Sequence, residues 1–181
     1  MMKATKQQGF TLIELIIVIV ILGILAVTAA PRFLNLQGDA NAATVQGVKG
    51  AMNSAKDIVY GKAIIEGLQD DAGDGTIGVD LGTDGTVDVT TSFGYPQAAA
   101  TGIAAAMDID LTNDFASNVI AATGGTPAIF VVRADGSAAP TAVVAGNGTG
   151  GEANDGCYVA YTEAADANTP PVITLNLDDC Q

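Results

Sequence analysis

The sequence predicts an α+β chain, with one long N-terminal helix followed by an antiparallel sheet. Three observations carry that expectation. From Phe10 to Ala30 the chain reads FTLIELIIVIVILGILAVTAA, an apolar run with a single charge, Glu14. After it, Val45, Val48, Met52, Ala55, Val59 and Ala63 recur at steps of three or four, the spacing of one buried helical stripe. The last third breaks into short stretches rich in Val, Ile and Tyr, separated by Gly, Asn, Asp and Pro, as strands joined by turns are.

Composition narrows the function classes. The 181 residues suit about one domain. Seven basic and 20 acidic residues give a net charge of −13, which argues against a nucleic-acid surface built on a basic patch. There is no His, so Ser–His and Cys–His nucleophile pairs and the usual catalytic zinc sites are excluded. Apolar residues make up 49% of the chain, too many for a disordered polymer despite 22 Gly. No cluster of nucleophile, base or phosphate-cradling residues stands out, so no enzyme and no cofactor are expected.

The 21 residues of the apolar run, at ~1.5 Å each, make a helix of about 32 Å, enough for a ~30 Å hydrocarbon core. Lys3 and Lys6 precede it with no acidic residue between, which orients that end to the cytoplasm. A cleaved secretory signal has a shorter apolar region, roughly 7–15 residues, and lacks a Glu. Pro31 would also stand where the mature chain began. A permanent anchor fits the length but leaves Glu14 unexplained, since an intramembrane carboxylate is expensive and functional by default.

The third reading starts from Gly9-Phe10-Thr11-Leu12-Ile13-Glu14. A short basic leader ending in Gly, followed by Phe-Thr-Leu-Ile-Glu on an apolar helix, resembles the start of type IV prepilins. The wider stretch from Gly9 to Gln37, GFTLIELIIVIVILGILAVTAAPRFLNLQ, resembles the pilin of the mannose-sensitive haemagglutinin pilus. The resemblance implies the type IV pilin fold. It also implies that an inner-membrane peptidase cuts after Gly9 and methylates the new terminus at Phe10. A residue without a side chain at the cut lets the backbone approach an active site closely. Removal of Lys3 and Lys6 leaves five basic and 20 acidic residues, a net −15. Glu14 is then the counter-charge for the Phe10 amine of a neighbouring subunit in the filament, because each charge offsets the other's desolvation.

On this reading residues 1–9 are the leader and 10–37 the transmembrane and filament-core helix. The head is 38–181, with an amphipathic helix to about 67, a connecting loop over 68–127, and a sheet with a disulfide loop over 128–181. Opposite the buried stripe lie Asn41, Gln46, Lys49, Asn53 and Lys56; Ile58, Ile64 and Ile65 are expected to widen it, and Gly67 to stop the helix.

Past the helix, Asp70, Asp71, Gly73, Asp74, Gly75, Asp84 and Gly85 are turn chemistry, with short strands expected at Thr76–Val79 and Thr86–Thr91. The EF-hand pattern fails in both registers: from Asp70 the twelfth position is Leu81, and from Asp80 it is Thr91. A solvated acidic loop is favoured over a looser carboxylate site, and no metal site is assigned. Helices are expected at Gln97–Met107 and Asn113–Ala122, and strands at Ala128–Arg133, Thr141–Ala145, Tyr158–Thr162 and Val172–Leu177. No internal repeat is expected.

Cys157 and Cys180 are the only cysteines, both in the exported half, and are read first as one disulfide. Redox or metal use is the minor alternative. Pilins likewise staple a C-terminal loop to their sheet with one such bond. Gly23 and Pro31 flank the weakest part of the long helix, since both are poor interior residues and Pro31 leaves the Val27 carbonyl without a partner. Similar pilins unwind there on assembly, so Gly23–Pro31 is the expected hinge.

The expected function is the major structural subunit of a type IV pilus, polymerising through its N-terminal helix into an extracellular fibre for surface attachment and biofilm formation. Its partners would be other copies of itself in a helical filament, the prepilin peptidase and methyltransferase, the pilus assembly machinery, and a host or abiotic surface. It would sit in the inner membrane as precursor and then on a Gram-negative cell surface. The alternative is a type II secretion pseudopilin forming a periplasmic piston. Pseudopilins share the start but usually lack the Cys pair.

Overall fold

The computed structural model describes residues 10–82, 84–107, 109–111, 113, 115–123, 127–134, 138–139, 156–177 and 180, with residues 30–35 described by their backbone. Helix α1 (Leu12–Glu66) runs unbroken through Gly23 and Pro31. The chain divides into two compact units, Met1–Gln37 and Gly38–Gln181, and α1 contributes to both.

In the second unit the helical stripe is buried as its spacing requires: Val45, Met52, Val59 and Ala63 are fully enclosed. Gly67 ends the helix at φ +77°, a left-handed conformation that costs glycine nothing. Its N–H donates to the Ile64 carbonyl, and the Leu68 N–H reaches back to the Ala63 carbonyl at 2.9 Å, closing a Schellman cap. Ile58, Ile64 and Ile65 do not widen the stripe. They are exposed, because at 100° per residue they fall to either side of the Val59–Ala63 line.

Two antiparallel sheets follow. The smaller joins β1 (Gly78–Val79), β2 (Val89–Ser92) and β3 (Tyr95–Pro96) in that order. The larger has the order β4 (Ala116–Ile120), β5 (Ile129–Arg133), β6 (Tyr158–Thr162), β7 (Val172–Asn176). Strand periodicity sorts their side chains. Phe130, Val132, Val159 and Tyr161 form a core with Val45, Val48, Met52 and Ala55 of α1, while Ile129, Val131, Tyr158 and Ala160 form a separate buried cluster.

The expected helix at Asn113–Ala122 is wrong: Ala116–Ile120 is strand β4, paired residue for residue with β5 from Ala116↔Arg133 to Ile120↔Ile129. Ser117, Asn118, Val119 and Ile120 are all mediocre helix formers, and the hydrogen bonds offered by β5 decide the outcome. Over Gln97–Met107 the chain makes a wide helical turn, Ala100–Ala104, broken by non-helical Gly102. A Cβ at Gly102 would strike the Gln97 backbone, so this turn has no slack for a regular helix. The strand expected at Thr141–Ala145 lies outside the described residues.

A local repeat exists after all. Asp74-Gly75-Thr76-Ile77-Gly78-Val79 and Asp84-Gly85-Thr86-Val87-Asp88-Val89 share the pattern Asp-Gly-Thr, a β-branched residue, any residue, Val. Each Asp accepts the N–H of its Thr at 2.9 Å and the Thr hydroxyl as well. These bonds hold both carboxyls below the usual aspartate range, the hydroxyl contributing most. The two turns launch strands that pair with each other, Val79 against Val89.

Candidate assembly segment

The described chain opens with a capping box. Thr11 precedes the helix, and its Oγ1 accepts the Glu14 N–H at 3.3 Å. Glu14 Oε2 returns the favour, accepting the Thr11 N–H at 2.8 Å and its hydroxyl at 2.9 Å. The Thr-Leu-Ile-Glu spacing is the Ser/Thr-x-x-Glu pattern that satisfies free N–H groups at a helix start. The spacing is a sequence signal for this cap, independent of any counter-charge role for Glu14. Oε1 of Glu14 has no hydrogen bond among the described residues.

Beyond the cap, Leu12–Ala29 is long and apolar enough to cross a membrane, and none of its residues is buried. Phe10 is 93% exposed, and Leu22 and Ile24 are more than half exposed. Each large apolar side chain taken out of water stabilises its new environment by roughly 1.5–3 kcal/mol. A segment with so many of them requires lipid or protein around it. Thr28 interrupts the run without stranding a polar group, because its hydroxyl donates to the carbonyls of Leu25 and Ile24 within the helix. A Cβ built at Gly23 meets nothing within 4 Å, so this glycine is not required by contacts within the chain. Pro31 lies in helical backbone, and Gly9 lies outside the described residues.

In the second unit Cys157 and Cys180 form a disulfide with Cα atoms 4.5 Å apart, both cysteines buried in the core beside α1. Asn41 ties the same place to the helix, its Nδ2 donating to the Cys180 carbonyl at 3.4 Å. Two further polar anchors were not foreseen. Glu163 accepts the N–H groups of Ala98 and Ala128, and the buried Tyr161 hydroxyl donates to the Pro96 carbonyl at 2.7 Å. Burial drives the Tyr161 phenol well above its ordinary range, so it stays a donor at any physiological pH. Neither residue has a sequence motif, because both act on partners more than thirty positions away. The exposed turn Ala165–Pro170 carries Asp166 and Asn168 between β6 and β7. Among the described residues no group of three or more acidic or thiol side chains converges to hold a metal.

Comparison with known proteins agrees with the N-terminal geometry. Residues 4–30 match the family described as the prokaryotic N-terminal methylation motif. The chain is 54% identical over 50 residues to the type IV narrow pilus major component PilA5 of Thermus thermophilus. That match covers 28% of this chain and 43% of the relative, so the chain spans less than half the length of the relative it matches. No solved structure matches it. An N-terminal methylation motif at the head of an exposed apolar helix, followed by an antiparallel sheet with one disulfide, is consistent with the type IV pilin fold.

Proposed function

We propose that the chain is the major structural subunit of a type IV pilus. It is cut after Gly9, methylated on Phe10, held in the inner membrane by its apolar helix, and then polymerised through that helix into an extracellular fibre. The observation that carries this reading is that no residue of Leu12–Ala29 is buried, in a segment that begins with a methylation motif. Identical copies supply one another's apolar surroundings once the segment leaves lipid. Attachment and biofilm formation, in the manner of the mannose-sensitive haemagglutinin pilus that Gly9–Gln37 resembles, are the proposed use of the fibre.

Glu14 has two tasks on this account. Oε2 caps its own helix, and Oε1 receives the cationic amine of Phe10 from an adjacent copy. Both charges then enter the apolar core already paired. Gly23–Pro31 is proposed as the hinge. In lipid its backbone must stay hydrogen-bonded, whereas among neighbouring subunits it can extend. Nine residues going from ~1.5 to ~3.3 Å each lengthen the chain by up to about 16 Å.

Electron microscopy of material sheared from cells expressing the chain, joined to intact mass of its subunit, tests the proposal. The expected result is thin fibres whose subunit begins at N-methyl-Phe10. A subunit beginning at Met1 or at Pro31, or short periplasmic assemblies in place of surface fibres, contradicts it.

A further inference from the structure

Few side chains of the head are readily oxidised, and two of them are set face to face. There is no Trp and no His, and both cysteines are spent in the disulfide. Met52 and Met107 are buried, as are Tyr158 and Tyr161. Tyr60 and Tyr95 are partly exposed. Their ring centroids lie 4.2 Å apart with the planes 5° from parallel.

Two elements hold this pair. Tyr60 stands on α1, and Tyr95 opens β3 directly after the two-residue turn Phe93–Gly94. Gly94 closes the turn against the Tyr60 ring, where a Cβ would sit 3.2 Å from a ring carbon. Phe93 holds φ +53°, a left-handed conformation that is costly for a bulky residue. Asn or Gly would make the same turn without strain. The strain persists because the pairing of Ser92 with Tyr95 and the packing of Gly94 on Tyr60 fix the turn from both sides. The two rings are therefore kept in register. Burial, and then the neighbouring Tyr60 phenol, hold the Tyr95 phenol above its ordinary range. At neutral pH it keeps its proton and gives it up only together with an electron.

We infer that Tyr60 and Tyr95 are an oxidative cross-linking site, at which hydrogen peroxide and a haem peroxidase join the two rings as a biphenol. Each phenol gives up one electron and its hydroxyl proton, and the peroxide takes up both electrons and both protons to become two waters. The two radicals bond through ring carbons ortho to the hydroxyls. The hydrogens on those carbons then pass to the oxygens and restore both phenols. The net change is one new C–C bond and the loss of two hydrogens, and it ties α1 to β3. Stacked rings are already placed for that coupling, so each radical meets its neighbour before it meets a second copy. The site needs one copy only and stands apart from the fibre reading.

The test treats the full chain, dilute in detergent, with hydrogen peroxide and a haem peroxidase. The expected product is a fluorescent monomer lighter by two hydrogens, whose digest joins the peptides of Tyr60 and Tyr95. Tyr60→Phe and Tyr95→Phe keep the ring pair but lack one phenol, and each should lower the biphenol fluorescence at least tenfold. In urea, where the pair is separated, links should scatter among the four tyrosines. No biphenol in the folded chain, links chiefly between copies or through Tyr158 or Tyr161, or the same Tyr60–Tyr95 yield in urea, overturns the inference.

Discussion

Leu12–Ala29 and Val45–Ala63 belong to one helix and meet the burial problem in opposite ways. The second stretch has an apolar stripe with partners in its own chain: Val48 and Met52 meet Phe130, Val132 and Tyr161, and Val59 meets Val79 and Val89. The first is apolar apart from Glu14 and Thr28, and none of it is buried among the described residues, with Val27 at 77% exposed. A stripe can be satisfied by one sheet, whereas an apolar cylinder can be satisfied only by surroundings on all sides. The comparison teaches that these two stretches answer to different selection: stability of the monomer at Met52, and solubility in lipid or in other copies at Leu22.

The same kind of truncation in each stretch should therefore separate them. Met52→Ala empties fully buried space and should cost the folded unit roughly 2–5 kcal/mol, read as a lower denaturant midpoint. Leu22→Ala should leave that midpoint unchanged and weaken fibres instead. Equal loss of monomer stability in both would break the contrast. Cys157→Ser comes next. The bond closes a loop over a sequence separation of 23, and its loss should cost about 3.5 kcal/mol in the chain-entropy model. The drop in melting temperature would be roughly 10 °C, and an unchanged melt under reducing conditions would show that the disulfide does not hold this unit. Gly67→Ala should cost about 1 kcal/mol, because alanine at φ +77° is strained.

The smallest effect is a pH dependence. Threonine hydrogen bonds depress the carboxyls of Asp74 and Asp84 in the folded state. Their contribution is therefore present above the ordinary aspartate value of about 3.9 and is lost as pH falls through the depressed one. The double variant Asp74→Asn, Asp84→Asn should lower stability at pH 7, where the contribution is present, and flatten the acid side of the profile. The difference from the unaltered chain should vanish as pH falls through the depressed values. An equal loss at pH 7 and at acid pH would mean that the turns act through shape alone.

Much of this was legible because the signals were local. The helix stripe, its stop at Gly67 and the apolar run are periodicities or single residues in known positions. The capping box at Thr11 and Glu14 is equally local, a Thr-x-x-Glu spacing at the start of the apolar run. The repeat at Asp74 and Asp84 is only six residues long, and its members read singly as turns. The shared pattern stands out only once both turns are seen to launch paired strands. Strand β4 was not readable in the same way. Ala116–Ile120 has no firm preference of its own, and only pairing with β5 makes it a strand. Glu163 and Tyr161 are identified by distant backbone partners, which no window along the chain reveals.

The central claim is that Leu12–Ala29, bare in the single chain, is buried between copies. A three-dimensional map of purified fibres tests it most directly. The account predicts that Leu22 and Ile24 contact the helices of other copies in a dry core, with Glu14 Oε1 beside the Phe10 amine of a neighbour and the helical ladder interrupted between Gly23 and Pro31. A map in which this segment faces solvent or a lipid sheath, with copies joined only through residues 67–181, would contradict it.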